Sequence, residues 1–288
     1  MPSGPPSPFE LCLVGAGKAG TAVALALSSA GHRVVAVASR TEASALAAAE
    51  YLGAPVAAAD DLPPCDVVLL GVPDAAVAPV AATVVPALRP GTVVWHLAGS
   101  LGIAALPPGD FRRCALHPVQ AFPSREVPAL LRGSSWGVTC DGAVREWARA
   151  VVTRDLGGNA VDVREEDRAV WHAAAVTAAN GITALLSLAE TILASIGIDR
   201  PERVLGPLAA GAVESSVARG ATASLTGPAV RGEWDTVAAH VQALEVGAPE
   251  LLEPYREATR LIFRAADRAG KVTPEERRAA AELLREQA

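Results

Sequence analysis

Lysine is nearly missing from this sequence: of 25 lysine and arginine residues, only Lys18 and Lys271 are lysine. Chemistry that depends on a lysine amine is thereby confined to two positions. Aromatic residues are also scarce, at 4% against 51% apolar residues, so the interior must be built mainly from Ala, Val and Leu. That composition suits tightly packed helices and parallel strands and excludes a disordered chain. No basic run with interleaved aromatics occurs, and the net charge is -6, which argues against nucleic acid as a partner. The four cysteines, Cys12, Cys65, Cys114 and Cys140, show no C-x-x-C spacing. They read as buried structural thiols, and no metal is expected. Met1 to Glu10 is rich in Pro and Ser but has no basic stretch and is too short for a signal peptide, so a cytoplasmic location is expected. Charge is also missing from Ala169 to Ala189, a run long enough to cross a bilayer. Its His172, Thr177, Asn180, Thr183 and Ser187 among many alanines read instead as a buried helix of a soluble domain, with no membrane partner.

At 288 residues the chain exceeds the usual span of one hydrophobic core, which predicts two domains. The first half alternates short apolar runs with helical patterns, the grammar of a parallel sheet with crossover helices. Strands are predicted over Leu11 to Val14, Arg33 to Ala38, Asp66 to Val72, Val93 to Leu97, Cys114 to His117, Trp136 to Cys140 and Asn159 to Val163. Helices are predicted over Lys18 to Ser29 and Glu42 to Tyr51. From about Glu165 helical periodicity takes over, with helices predicted at Glu165 to Ile196, Pro201 to Ala218, Arg231 to Leu244, Pro249 to Ala269 and Pro274 to Glu286. The expected architecture is α/β: a Rossmann-type, mostly parallel sheet domain over 8–160, followed by an all-α dimerisation domain over 161–288.

The loop Gly15-Ala16-Gly17-Lys18-Ala19-Gly20 follows a predicted strand and opens a predicted helix, the context in which G-x-G-x-x-G binds a dinucleotide. Gly15 permits the tight turn, Gly17 lets the pyrophosphate approach the backbone, and Gly20 lets helix and strand pack closely. The helix N-terminus supplies free N–H groups. Where an NAD site usually carries an acidic residue, after the second strand, this chain has Ser39 and Arg40. A guanidinium there favours the 2'-phosphate of NADP, although Glu42 nearby leaves NAD open.

Gly71-Val72-Pro73-Asp74 and Ala98-Gly99-Ser100 end later strands and should face the same crevice. Ser100 reads equally as a donor to the ligand or as a turn hydroxyl. His117 and Gln120 sit in a rigid turn that can wall a substrate pocket. His172 and Asn180 lie eight residues apart on one helix, about 12 Å along its axis and ~80° around it, so both can face one cleft. An imidazole there can protonate a carbonyl or imine as hydride arrives, with Asn180 orienting the substrate, unless the two only satisfy neighbours at a dimer interface. Thr226 and Arg231, beside a helix start, can grip a carboxylate, or Arg231 can pair locally with Glu233. His240 reads as structural. A long charge-free helix also needs more cover than one small domain provides, so a homodimer is expected.

The glycine loop, the His117 to Phe122 turn, the run His172-Ala173-Ala174-Ala175 leading to Asn180, and Leu225 to Gly232 together resemble the Rossmann-like oxidoreductases with a C-terminal domain of unknown function 2520. The resemblance covers nearly the whole chain. It implies an NADP-linked architecture similar to pyrroline-carboxylate reductases, hydroxyacid dehydrogenases and ketopantoate reductases. In the latter two groups a catalytic lysine precedes an Asn by one helical turn; here Val176 precedes Asn180. His172 is the substitute proton donor this departure suggests. The expected activity is NADPH-dependent reduction of a carbonyl or imine in a small carboxylate-bearing substrate, a ketopantoate-like 2-oxo acid first and a cyclic imino acid second. The missing lysine favours the alternative, a non-catalytic, redox-responsive NADP-binding regulator.

Overall fold

Along β1 (Glu10–Val14), Leu11 and Leu13 point into one apolar layer and Cys12 and Val14 into another. β3 (Val67–Leu70) repeats the division, with Val67 and Leu69 on one face and Val68 and Leu70 on the other. Both faces are therefore covered, which explains the continuous apolar runs. The computed structural model describes residues 7–124 and 128–284. The predicted helix end at Glu286 lies outside them.

The remaining strands are β2 (Arg33–Ala38), β4 (Val93–His96), β5 (Arg112–Pro118), β6 (Ser135–Cys140) and β7 (Asn159–Asp162). They form one sheet in the order β2-β1-β3-β4-β5-β6-β7, parallel except where β6 runs against β5. The order turns back on either side of β1, which makes the β1/β3 edge the topological switch point. The crossover helices α1 (Lys18–Ser29), α2 (Glu42–Leu52) and α3 (Asp74–Val84) are followed by the short α4 (Arg145–Ala150). Thr41 caps α2 by accepting from the Ser44 amide at 3.4 Å. The sequence reading lacked α3, whose interior Pro79 reads as a breaker; the helix forms despite losing one backbone donor. All four cysteines are free and buried.

The predicted helix over Glu165 to Ile196 is divided. α5 (Arg168–Val176) leads into a π turn at Thr177–Gly181 and then α6 (Ile182–Ser195). Among the described residues one compact unit ends at Thr177 and a second begins at Ala178. The physical reason is that α5 is seated on the sheet through side chains described below.

In the second unit, α6 is followed by α7 (Pro201–Arg219), two single-turn helices α8 (Ala221–Ser224) and α9 (Pro228–Arg231), then α10 (Trp234–Gly247), α11 (Leu252–Arg268) and α12 (Pro274–Leu284). The helix expected to open at Arg231 thus opens at Trp234, because Gly232 takes a left-handed conformation between α9 and α10. Val237, Phe263, Ala280 and Leu284 form one core cluster of this unit, with Trp234 edge-on to Phe263, and Leu244, Ala248 and Leu251 form another.

The expectation that the charge-free run is buried is overturned for the single chain. The stretch Glu165–Ser195 is long and apolar enough to cross a membrane by length and composition, and none of its most apolar window is buried. On α6 and α7, Ile182, Leu185, Val204, Leu208 and Val217 are exposed. α6 packs on α7 and, through Leu188 and Ile192, on the cluster of Leu244, Ala248 and Leu251, whereas these exposed side chains have no covering layer among the described residues.

Candidate functional site

Gly15 leaves β1 with φ +96°, a conformation that a side chain rarely adopts. A Cβ on Gly15 would also stand 2.7 Å from the Gly71 carbonyl, and one on Gly20 would stand 2.9 Å from Gly15 O and from Gly71 Cα. Gly15, Gly20 and Gly71 are therefore glycine because three backbones meet at the switch point. Gly17 differs. A Cβ there would meet only Gly71 O, at 3.3 Å. The chain therefore crowds Gly17 less than it crowds Gly15, Gly20 and Gly71.

Gly17 is the N-cap of α1, makes no side-chain cap bond, and no acidic residue occupies the first turn. Free amide donors and the positive end of the helix dipole therefore face outward beside Ala16, Lys18 and Ala19. Beyond β2, Ser39 is half-buried and Arg40 exposed. These features fit a dinucleotide: a bare pyrophosphate cradle at the switch point, and a guanidinium at the strand end where a ribose 2'-substituent is read. Val72 and Pro73 lead from Gly71 into α3, on the next strand end along the same edge.

Two strands further on, about 10 Å from β1 at ordinary strand spacing, the second half of the site is built on α5. Arg168, Trp171 and His172 stand at i, i+3 and i+4 and so share one helix face. Arg168 is 1% exposed. Its guanidinium donates to the carbonyls of Leu101 at 3.0 Å, Gly137 at 3.1 Å and Ala98 at 2.6 Å. One cation thereby ties α5 to the loop after β4 and to β6. Burial pulls its pKa down to about 10, which leaves it charged at neutral pH.

Trp171 lies on Gly137, where a Cβ would come within 2.8 Å of its indole. Its Nε1 donates to His117 Nδ1 at 3.2 Å. His172 stands edge-on to His117, with ring centroids 5.3 Å apart. Both imidazoles meet over Gly99: a Cβ there would collide with His172 Nδ1 and stand 2.8 Å from His117 Nε2. His172 Nδ1 is buried against Gly99 with no hydrogen-bond partner, which sets it apart from an ordinary buried polar atom. Ser100 Oγ donates to Asp74 Oδ2 at 2.7 Å, which leaves the hydroxyl's lone pairs as its free function. His96 is fully buried beneath this layer, bonded through Nε2 to Gly102 O at 3.0 Å, and burial drives its pKa down to about 4.

Of the residues singled out in the sequence, the structure brings His117 and His172 together at Gly99, beside Ala98 and Ser100. Gln120 follows on the loop after β5, its side-chain amide donating to Ala121 O at 3.2 Å. Asn180, Thr226 and Arg231 belong to the second unit. Asn180 lies within the π turn, so the α-helical spacing that related it to His172 does not apply. Arg231 is forked onto Glu233, at 2.6 and 3.0 Å, and its third nitrogen donates to Thr226 Oγ1 at 3.2 Å, which is the local pairing rather than an open carboxylate grip. His240 bonds Tyr255 through Nδ1 at 2.8 Å. That pair borders an apolar cavity of about 370 Å³ lined by Ile192, Ile196 and Leu244, which holds none of the residues above.

Sequence reasoning missed Arg168 and Trp171, and it placed Asp74 at the crevice without seeing its bond to Ser100. The signal for the first two was present: an arginine opening an otherwise charge-free helix, with an aromatic and a histidine at i+3 and i+4.

A doubly covered parallel sheet with a bare glycine cradle at its switch point defines a Rossmann-type protein. Residues 5–118 match the profile of a Rossmann-like domain and residues 134–262 that of domain of unknown function 2520. The chain thus carries a Rossmann-like domain followed by domain of unknown function 2520. No match to a curated protein was found. Among solved structures, a candidate NADP oxidoreductase of Bacteroides fragilis is 24% identical, with a TM-score of 0.75 over 89% of this chain and 98% of that one. A pyrroline carboxylate reductase of Plasmodium falciparum, solved with NADP bound, is 14% identical, with a TM-score of 0.59 over 95% and 97%. A reductive aminase of Aspergillus terreus, in complex with NADPH and ethyl levulinate, is 17% identical, with a TM-score of 0.62 over 91% and 95%. These are likenesses of fold.

Proposed function

We propose that this protein is an NADP-dependent oxidoreductase that reduces a carbonyl or imine of a small carboxylate-bearing substrate. When bound, the reduced dinucleotide supplies the hydride. The observation that carries this reading is the seat at Gly99. Two imidazole nitrogens meet over a bare Cα at the carboxyl end of β4, on the same sheet edge as the glycine cradle.

His172 gives the proton to the substrate's oxygen or nitrogen as the carbon takes hydride. Its ring is held in place by α5, which Arg168 ties to the sheet. His117 and Ser100 border the substrate, and Asp74 orients the Ser100 hydroxyl. Cyclic imino acids and ketopantoate-like 2-oxo acids are the substrate classes. The fold likeness to a pyrroline carboxylate reductase and a reductive aminase favours the imine.

The test is NADPH oxidation monitored across panels of cyclic imino acids and 2-oxo acids. Turnover is expected with at least one class, and His172→Ala is expected to lower kcat by ~10²-fold to 10⁴-fold. Tight NADPH binding with no turnover across both panels would leave the regulator reading in its place.

Arg40 is assigned to the 2'-phosphate. Arg40→Asp is expected to weaken NADPH binding by ~10-fold or more and to leave NADH binding nearly unchanged, as measured by fluorescence titration. Equal losses for both dinucleotides would remove the clamp.

The uncovered faces of α6 and α7 support a homodimer in which a second copy supplies the missing layer. Light scattering should give twice the chain mass at micromolar concentration; a monomer there would refute the assignment.

A further inference from the structure

An indole nitrogen only donates a hydrogen bond, so the bond from Trp171 Nε1 to His117 Nδ1 requires that Nδ1 be bare. In a neutral imidazole the ring proton then sits on Nε2. That nitrogen lies over Gly99, 2.8 Å from where a Cβ would stand, and has no hydrogen-bond partner among the described residues.

We infer that His117 is a fixed neutral donor, its Nε2–H aimed at the oxygen or nitrogen of the substrate's carbonyl or imine, and that Trp171 is the positioning residue that sets this tautomer. The two histidines then divide the work. His117 orients and polarises the acceptor atom, and His172 supplies the proton. The substrate half of this inference rests on the reductase reading above; the tautomer half does not.

The surroundings of His117 agree with a ring that stays neutral. It faces Arg168, Trp171 and His172 from α5, Asp74 from the head of α3, and His96 from β4. Burial, then the Arg168 guanidinium and the His172 ring, push its pKa down to about 4, and the opposing pull of Asp74 does not offset them. Protonation would also put a second donor against the Trp171 N–H. A donor that does not titrate in the working range stabilises developing charge without being consumed. Gly137, paired with His117 across β5 and β6, provides the flat seat on which Trp171 lies.

The test begins without substrate. In ¹⁵N-labelled protein, with the His117 signals assigned through His117→Gln, the ring is followed from about pH 8 to about pH 5. The expected result is a bare Nδ1 and a protonated Nε2 throughout. Trp171→Phe, which keeps an aromatic ring but removes the N–H, is expected to give a mixture of tautomers. In turnover, His117→Gln can still donate from its amide and is expected to keep kcat/KM within ~10-fold of the parent, whereas His117→Leu loses ~10²-fold. A protonated Nδ1, a titration near the ordinary histidine range, an unchanged tautomer in Trp171→Phe, or a Gln variant no better than Leu each overturns the inference. If the tautomer is found but no substrate is reduced, the reductase reading falls and takes the donor role with it, while the part of Trp171 stands on the spectra alone.

Discussion

Gly99→Ala is expected to lower kcat/KM by ~10²-fold or more, because a misplacement of about 1 Å at reacting groups has that effect. The added methyl would occupy space now held by His172 Nδ1 and would crowd His117 Nε2. Neither ring has an easy retreat. His117 is held from behind by the Trp171 N–H. His172 is fixed by the helix that Arg168 anchors. The sheet should tolerate the change better than the chemistry does, with stability falling by about 1–3 kcal/mol, the usual range for overpacking. Steady-state NADPH oxidation and chemical denaturation measured on one preparation separate the two effects. Parent-like turnover in this variant would show that the two imidazoles do not work at Gly99.

Arg168→Leu is expected to destabilise the first unit by about 3 kcal/mol. The leucine fills part of the volume but leaves the carbonyls of Ala98, Leu101 and Gly137 without their charged donor. Removing a buried cation also relieves its own desolvation, which is why the expected loss is less than three separate charged bonds would suggest. Arg168→Lys should recover little, since an ammonium cannot reach three carbonyls in the plane of a guanidinium fork. A second effect has a definite sign. His117 is held near 4 partly by the Arg168 charge, so its pKa should rise in Arg168→Leu. Urea titration of the variants checks the first effect and the His117 NMR titration the second. An unchanged unfolding midpoint would show that α5 is held by packing alone.

The elements read well from sequence were those whose causes are local. β2 and α1 were predicted with the bounds they have, because apolar runs, a glycine turn and Gly31 mark their ends within the segment itself. α3 was missed because Pro79 is a strong local signal against helix, and sequence alone does not reveal that packing over Val77, Ala81 and Val84 outweighs one lost donor. The π turn at Thr177–Gly181 left no mark either. An inserted residue in an alanine-rich helix does not disturb an apolar pattern that is already continuous.

The site shows the same contrast. Gly15, Gly17 and Gly20 were assigned distinct parts from their spacing, and the contacts agree for Gly15 and Gly20: both lie where a Cβ would strike backbone. Arg231 was left between two roles, and geometry found its fork already taken by Glu233. Distance along the chain was the obstacle for Arg168: its partners Ala98, Leu101 and Gly137 come from two separate segments, and no periodicity relates them.

By itself, the sequence determined the α/β class, the position of the glycine cradle and the confinement of lysine to Lys18 and Lys271. Each of these depends on residue type or on spacing within a few turns of chain. Only the tertiary structure decided that Gly99 is shared by His117 and His172, that the Trp171 N–H bonds one of them, and that Ile182, Leu185, Val204 and Leu208 stand exposed on α6 and α7. Those facts depend on which strand ends and helix faces meet in space, and folding, not spacing along the chain, brings residues 99, 117, 137 and 168 to one place.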